Sequence, residues 1–195
     1  PLPPAESAHD GAVSTGSAAS VYEDEPWISA LVEWTRDAVE GGLPVLGVCY
    51  GHQVLAEALG GTVEPMGEYE LGYTEIDRVG DSPLLSGLGE RFTAFASHQD
   101  VVTELPPGAT LIAENEYGVQ GFSTDHAFAV QFHPEYDTTT ARKVAAGKDL
   151  PDEQIERVLA GITEERYAAA CETNRLFDAF VSQVRGASAD APSSD

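Results

Sequence analysis

Residues 43–51 read LPVLGVCYG, and Val54, Leu55, Ala58 and Leu59 follow directly at helical spacing. The nearly continuous apolar run is the pattern of a parallel strand buried on both faces. Gly60-Gly61 stops the helix behind it. A strand that turns at once into a helix leaves space for only a tight connection. The chain sets Cys49 in that connection, between Gly47 and Gly51. Such an elbow holds a nucleophile exposed at the top of the sheet, and its neighbours must be small. The helix N-terminus favours a thiolate over a thiol. The backbone N–H of Tyr50 can point at an oxyanion formed by attack of the sulfur. A cysteine by itself reads as a buried core thiol; the two glycines and the strand–helix junction favour the nucleophile.

The same alternation appears upstream. GAVST reads as a short strand that runs into the small-residue turn Gly16-Ser17-Ala18-Ala19-Ser20. Pro26 opens a helix whose Trp27, Leu31, Trp34 and Ala38 recur on one face, and Gly41-Gly42 ends it. Strand, helix, strand, helix predicts an α/β fold with a parallel sheet. Residues 62–132 change character, with short β-like runs between glycines and prolines, so partly antiparallel strands are expected. The expected architecture is an open, mostly parallel but mixed sheet flanked by helices. Helices return over Pro151 to Leu159 and after Thr163, where Tyr167, Cys171, Leu176, Phe177 and Phe180 supply apolar positions. Residues 1–185 form one domain in this reading, and 186–195 (GASADAPSSD) a disordered tail.

A nucleophilic cysteine needs a base, and the base an orienting group. Of five histidines, His133 is the best placed. It ends the apolar run AFAVQFH and so lies at the carboxyl edge of the sheet, where catalytic groups of open α/β folds gather. Glu135 stands two residues on, and Pro134 stiffens the turn between them. His52 packs or faces solvent within its helix, and Cys171 sits in a helical core pattern. The histidines lack metal-ligand spacing, and nothing resembles a phosphate-binding loop, so no metal or cofactor is expected.

Composition narrows the partners. The 195 residues carry 33 acidic and 10 basic side chains, a net charge of −23, and the only lysines are Lys143 and Lys148. Nucleic acid is a poor partner for such a surface. An acid coat of this kind suits a folded halophilic protein. No segment reads as a membrane span or a signal peptide, and two cysteines in unlike contexts do not suggest a disulfide, so a cytoplasmic location is expected.

GVCYGHQ together with VQFHPE resembles the class I (triad-type) glutamine amidotransferases, closest to the amidotransferase domain of GMP synthase and its stand-alone relatives. The resemblance covers roughly residues 10 to 140, and it implies a flavodoxin-like fold. It implies that Cys49 attacks the side-chain amide of L-glutamine and forms a thioester, that His133 serves as base and then acid, and that Glu135 orients His133. The family's oxyanion loop is similar to residues 14–20, where Gly16 aligns but Ser17 and Ala18 replace a glycine and a proline. Backbone donors at Gly16, Ser17 and Tyr50 are then implied. Gln53 matches a residue that helps hold the substrate, and Ser97, His98 and Gln99, in the stretch SHQD, match a segment lining the same pocket.

The family begins with a strand and helix that this sequence does not show before GAVST, so an N-terminal strand is expected to be missing. The implied activity is release of ammonia from glutamine to a separate, GMP synthase-like partner. Two alternatives stand beside it: a γ-glutamyl peptide hydrolase with water as acceptor, and a regulatory subunit inactive without its partner.

Overall fold

In the computed structural model, residues 2–3 and 9–190 are described. Among these residues seven strands form one open mixed sheet: β1 (Ala12–Ser14), β2 (Val45–Val48), β3 (Thr62–Arg78), β4 (Arg91–Glu104), β5 (Thr110–Asn115), β6 (Gly118–Ser123) and β7 (Ala127–Val130). Their order is β1-β2-β7-β6-β5-β3-β4. Parallel pairing is confined to β1–β2 and β2–β7, and the other four pairings are antiparallel. The antiparallel share is therefore larger than the sequence reading weighted it. The reason is β3 and β4, which read as separate short runs. They form one long hairpin, interrupted by an irregularity between Pro65 and Glu70.

Among the described residues six α-helices complete the fold: α1 (Pro26–Glu40), α2 (Tyr50–Ala58), α3 (Thr138–Ala146), α4 (Asp152–Gly161), α5 (Glu164–Ala170) and α6 (Arg175–Asp190). Pro26 and Gly41 bound α1 as expected, but its buried stripe is Ile28, Thr35, Ala38 and Val39. Trp27 is 47% exposed and lies against the Tyr50 ring at 5.9 Å. The helix expected after Thr163 is broken into α5 and α6 by a 3₁₀ turn over Cys171–Asn174. Cys171 in that turn is half-buried rather than core. α6 runs to Asp190, so residues 186–190 are helical, and residues 191–195 of the expected tail lie outside the described residues. Among the described residues no helix is long and apolar enough to cross a membrane.

The two faces of the central strands are unequal. Leu46 and Val48 of β2, with Phe128 and Val130 of β7, face a core that includes Leu176 and Phe180 of α6. Val45, Ala127 and Ala129 face the opposite core with Val54 and Leu55 of α2. Small residues on that second face let α2 lie close over β2 and β7. Burial of the large side chains on both faces contributes roughly 1.5–3 kcal/mol each. The close seat of α2 fixes the connection in which Cys49 sits.

Candidate functional site

Cys49 joins β2 to α2 with φ 55° and ψ −105°, and among the described residues no other non-glycine has a positive φ. Such a backbone costs about 1–3 kcal/mol and persists only when its surroundings hold it. They do so here. The Cys49 N–H donates to the Val130 carbonyl at 2.9 Å, and the Cys49 carbonyl accepts from the N–H groups of His52 (3.0 Å) and Gln53 (3.2 Å). The flanking glycines are explained by contact. A Cβ on Gly47 would overlap the carbonyl of Gly51, and a Cβ on Gly51 would overlap the carbonyl of Ser14. The sulfur lies 3.9 Å from the Ser97 carbonyl oxygen. The Tyr50 N–H belongs to the first turn of α2, where donors have no partner within the helix.

His133 follows β7 and is tied to the far strand: its N–H donates to the Phe95 carbonyl of β4 at 2.7 Å. Its ring stacks on Tyr136 with centroids 4.1 Å apart. Nδ1 is 2.8 Å from Glu135 Oε1. A carboxylate accepts, so Nδ1 carries the proton and Nε2 is the ring atom left for the Cys49 sulfur. Burial works against a charged ring here. Hydrogen bonds to Cys49 and Glu135, and the charges on both, outweigh it and raise the His133 pKa from 6.5 to about 9. An imidazolium is thus held between the sulfur and the carboxylate.

Two adjoining clefts, each of about 410 Å³, meet at Cys49. Thr15, Gly16, Ser17, His133 and Glu135 line the first; Tyr50, Gln53, His98 and Gln99 line the second; Cys49 and Ser97 line both. All ten residues named from the sequence therefore border one continuous site. The loop after β1 reaches it as well: the Gly16 Cα is so placed that an added Cβ would lie 3.3 Å from His133 Cε1. That loop is moored by Asp100, whose carboxylate accepts from Ser20 Oγ (2.6 Å) and Tyr22 Oη (2.8 Å).

Two of the pocket residues are spoken for by the protein. His98 Nδ1 faces the Asp100 carbonyl at 2.9 Å, and Nε2 faces Glu70 Oε2 at 2.7 Å. Glu70 also accepts from Asn115 (2.7 Å) and Gln120 (2.8 Å). Both ring nitrogens of His98 are thus engaged, and it shapes the cleft with no free donor for a ligand. The Gln53 amide nitrogen is shared between the Asp100 carbonyl (3.4 Å) and Gln131 Oε1 (3.3 Å). Gln131 Oε1 also accepts from His52 Nδ1 at 3.0 Å. Burial of His52 drives its pKa down to about 3 despite that bond, so it is a neutral packing residue. Sequence reading missed the mooring by Asp100, the Glu70 network, and Tyr69 and Lys148 in the cleft walls. Only the position of Asp100 within SHQD carried a signal.

A mixed α/β sheet thus carries a cysteine at a strand–helix elbow beside a histidine–carboxylate pair, all at one cleft. The chain belongs to the class-I glutamine amidotransferase family, whose model matches residues 7–148. It is 38% identical over 186 residues to the glutamine-hydrolyzing GMP synthase of Aromatoleum aromaticum, covering 82% of this chain and 35% of that one. It is 42% identical over 126 residues to the glutamine-hydrolyzing GMP synthase of Thermomicrobium roseum, covering 64% of this chain and 23% of that one. The chain thus spans about a quarter to a third of the length of these curated relatives. Among solved structures, the glutamine amido transferase of Methylobacillus flagellatus superposes with a TM-score of 0.79 at 25% identity, over 96% of this chain and 80% of that one. A glutamine amidotransferase of Thermotoga maritima shares the fold with a TM-score of 0.72 at 24% identity, over 88% and 77% of the two chains.

Proposed function

We propose that this chain hydrolyses the side-chain amide of L-glutamine through a thioester on Cys49 and delivers the ammonia to a separate, GMP synthase-like reaction. The observation that carries the reading is the convergence of the strained Cys49, the His133–Glu135 pair and the Gly16–Ser17 loop on one cleft.

Each group has a step. His133 Nε2 already holds the proton of the Cys49 thiol, and the thiolate sulfur bonds to the amide carbon as the C=O electron pair moves onto oxygen. The tetrahedral oxyanion receives N–H donors from Tyr50 and from the Gly16–Ser17 loop. His133 returns the proton to the amide nitrogen, the C–N bond breaks, ammonia leaves, and a γ-glutamyl thioester remains. His133 then takes a proton from water as the oxygen attacks. The C–S bond breaks, glutamate departs, and the thiolate–imidazolium pair is restored. Glu135 keeps Nδ1 protonated and the ring oriented throughout. Relatives named as glutamine-hydrolyzing GMP synthases support the choice of acceptor reaction.

Glutamate and ammonia release by the wild-type chain and a Cys49→Ala variant tests this, with a γ-glutamyl dipeptide as competing substrate. The variant is expected to lose turnover, and the wild type to prefer glutamine. Full turnover by the variant, or preference for the dipeptide, refutes the proposal.

A further inference from the structure

A free amino acid presents a carboxylate beside its α-carbon, and this chain has a net charge of −23. The amino acid as a whole is a neutral zwitterion, but the acidic surface field repels its carboxylate end. The walls of the two clefts add Glu135, Asp100 and Asp149 to that repulsion. Of the ten lysines and arginines in the chain, Lys148 alone appears among the residues lining either cleft, and it lines both.

Its position is built rather than incidental. α3 ends at Gly147, and the Lys148 N–H donates to the Ala145 carbonyl at 3.3 Å, so the residue leaves the helix where the clefts meet. The Lys148 ammonium lies 4.9 Å from the centroid of the Tyr69 ring. Tyr69 belongs to β3 and lines the second cleft with Lys148. A cation over an aromatic face is attracted by the ring quadrupole, so Tyr69 draws the ammonium across the opening instead of leaving it in solvent. An ammonium there keeps donors free for an anion, since the ring occupies only one side of it.

Resting on the glutamine amide reaction proposed above, we infer that Lys148, held over Tyr69, reads the α-carboxylate of the substrate and makes the site selective for a free amino acid over an uncharged amide. Losing one charge-assisted hydrogen bond lowers affinity roughly tenfold to hundredfold.

The test compares two reagents that alkylate Cys49, with the modified residue located by mass spectrometry. One is a glutamine-shaped amino acid bearing a chloroketone in place of the amide. The other is chloroacetamide, which has no carboxylate. The quantity read is the ratio of their second-order rate constants, which a general loss of thiol reactivity does not move. Wild type is expected to favour the amino-acid reagent. Lys148→Met is expected to lower the ratio about tenfold to hundredfold, Lys148→Glu further, and Lys148→Arg to restore most of it. Tyr69→Leu is expected to lower it less than Lys148→Met. A wild-type preference that Lys148→Met leaves intact overturns the inference alone. Absence of any preference in wild type overturns both the inference and the glutamine reading on which it rests.

Discussion

Removing the two hydroxyls that moor the proposed oxyanion loop, by Ser20→Ala with Tyr22→Phe, probes loop placement without altering Cys49 or His133. The Asp100 side chain stays in place while losing two donors. Ser20 is buried, and its bond to Asp100 is 2.6 Å long. A buried hydrogen bond to a charged acceptor contributes about 1.5–3 kcal/mol. Tyr22 is 50% exposed, so its 2.8 Å bond belongs at the lower end, about 0.5–1 kcal/mol. The mooring thus amounts to about 2–4 kcal/mol, which corresponds to a factor of about 30 to 700 in an equilibrium. That range is a ceiling for catalysis, because the freed loop still visits its bound position. A fall in glutaminase kcat of about ten- to a hundredfold is expected, with little change in KM, since the loop's donors are used when the oxyanion forms. Hydrogen exchange at Gly16 and Ser17 should accelerate in parallel. A double variant with wild-type kcat, or one with faster exchange and unchanged catalysis, refutes the assignment of this loop as the oxyanion site.

Three further outcomes follow from the geometry. Gly51→Ala is expected to destabilise the chain by at least about 3 kcal/mol because its Cβ meets the backbone of Ser14, whereas Gly186→Ala, on α6 with nothing near its added carbon, is expected to stabilise by roughly 0.5–1 kcal/mol; thermal melts read both, and equal effects would refute the steric account. The folded-state pKa of His133 is raised from 6.5 to about 9, so the stability its charged form contributes is complete below pH 6.5 and is lost as the pH rises through about 9. Denaturant titrations across that interval should show the decline in wild type and a shallower one in Cys49→Ala, and identical slopes would argue against the sulfur–imidazole pair. The net charge of −23 predicts that melting temperature rises with KCl as the Debye length shrinks from about 10 Å at 0.1 M to about 3 Å at 1 M; a flat or falling curve would exclude self-repulsion as a significant destabilising force.

The legible parts of this molecule were those in which local sterics leave one residue type. Gly47, Cys49 and Gly51 announced the elbow because two backbone contacts forbid a side chain on either side. His133 was legible because an apolar run ended at it. α3 was not read, and the reason lies in its composition. It buries only Ala141 and Ala145, too little apolar area for a visible period, and opens with three threonines that favour strands. Of the expected α1 stripe, Ala38 is buried and Leu31 and Trp34 pack against the core, whereas Trp27 is exposed and Ile28, Thr35 and Val39 share the buried face. The mooring of the loop joins residues 80 positions apart, and the Lys148–Tyr69 contact links a helix end to the β3–β4 hairpin. No periodicity or spacing encodes either, since both arise only once the sheet has curled.

That curl has a mechanical consequence. β7 is third in the sheet order and β4 last, yet the backbone of His133 is bonded to Phe95 of β4 at 2.7 Å. The strand that walls the pocket therefore also carries the imidazole, like two jaws of a clamp cast in one piece. Any displacement of β4 is therefore transmitted to the backbone of His133 as well as to the cleft wall.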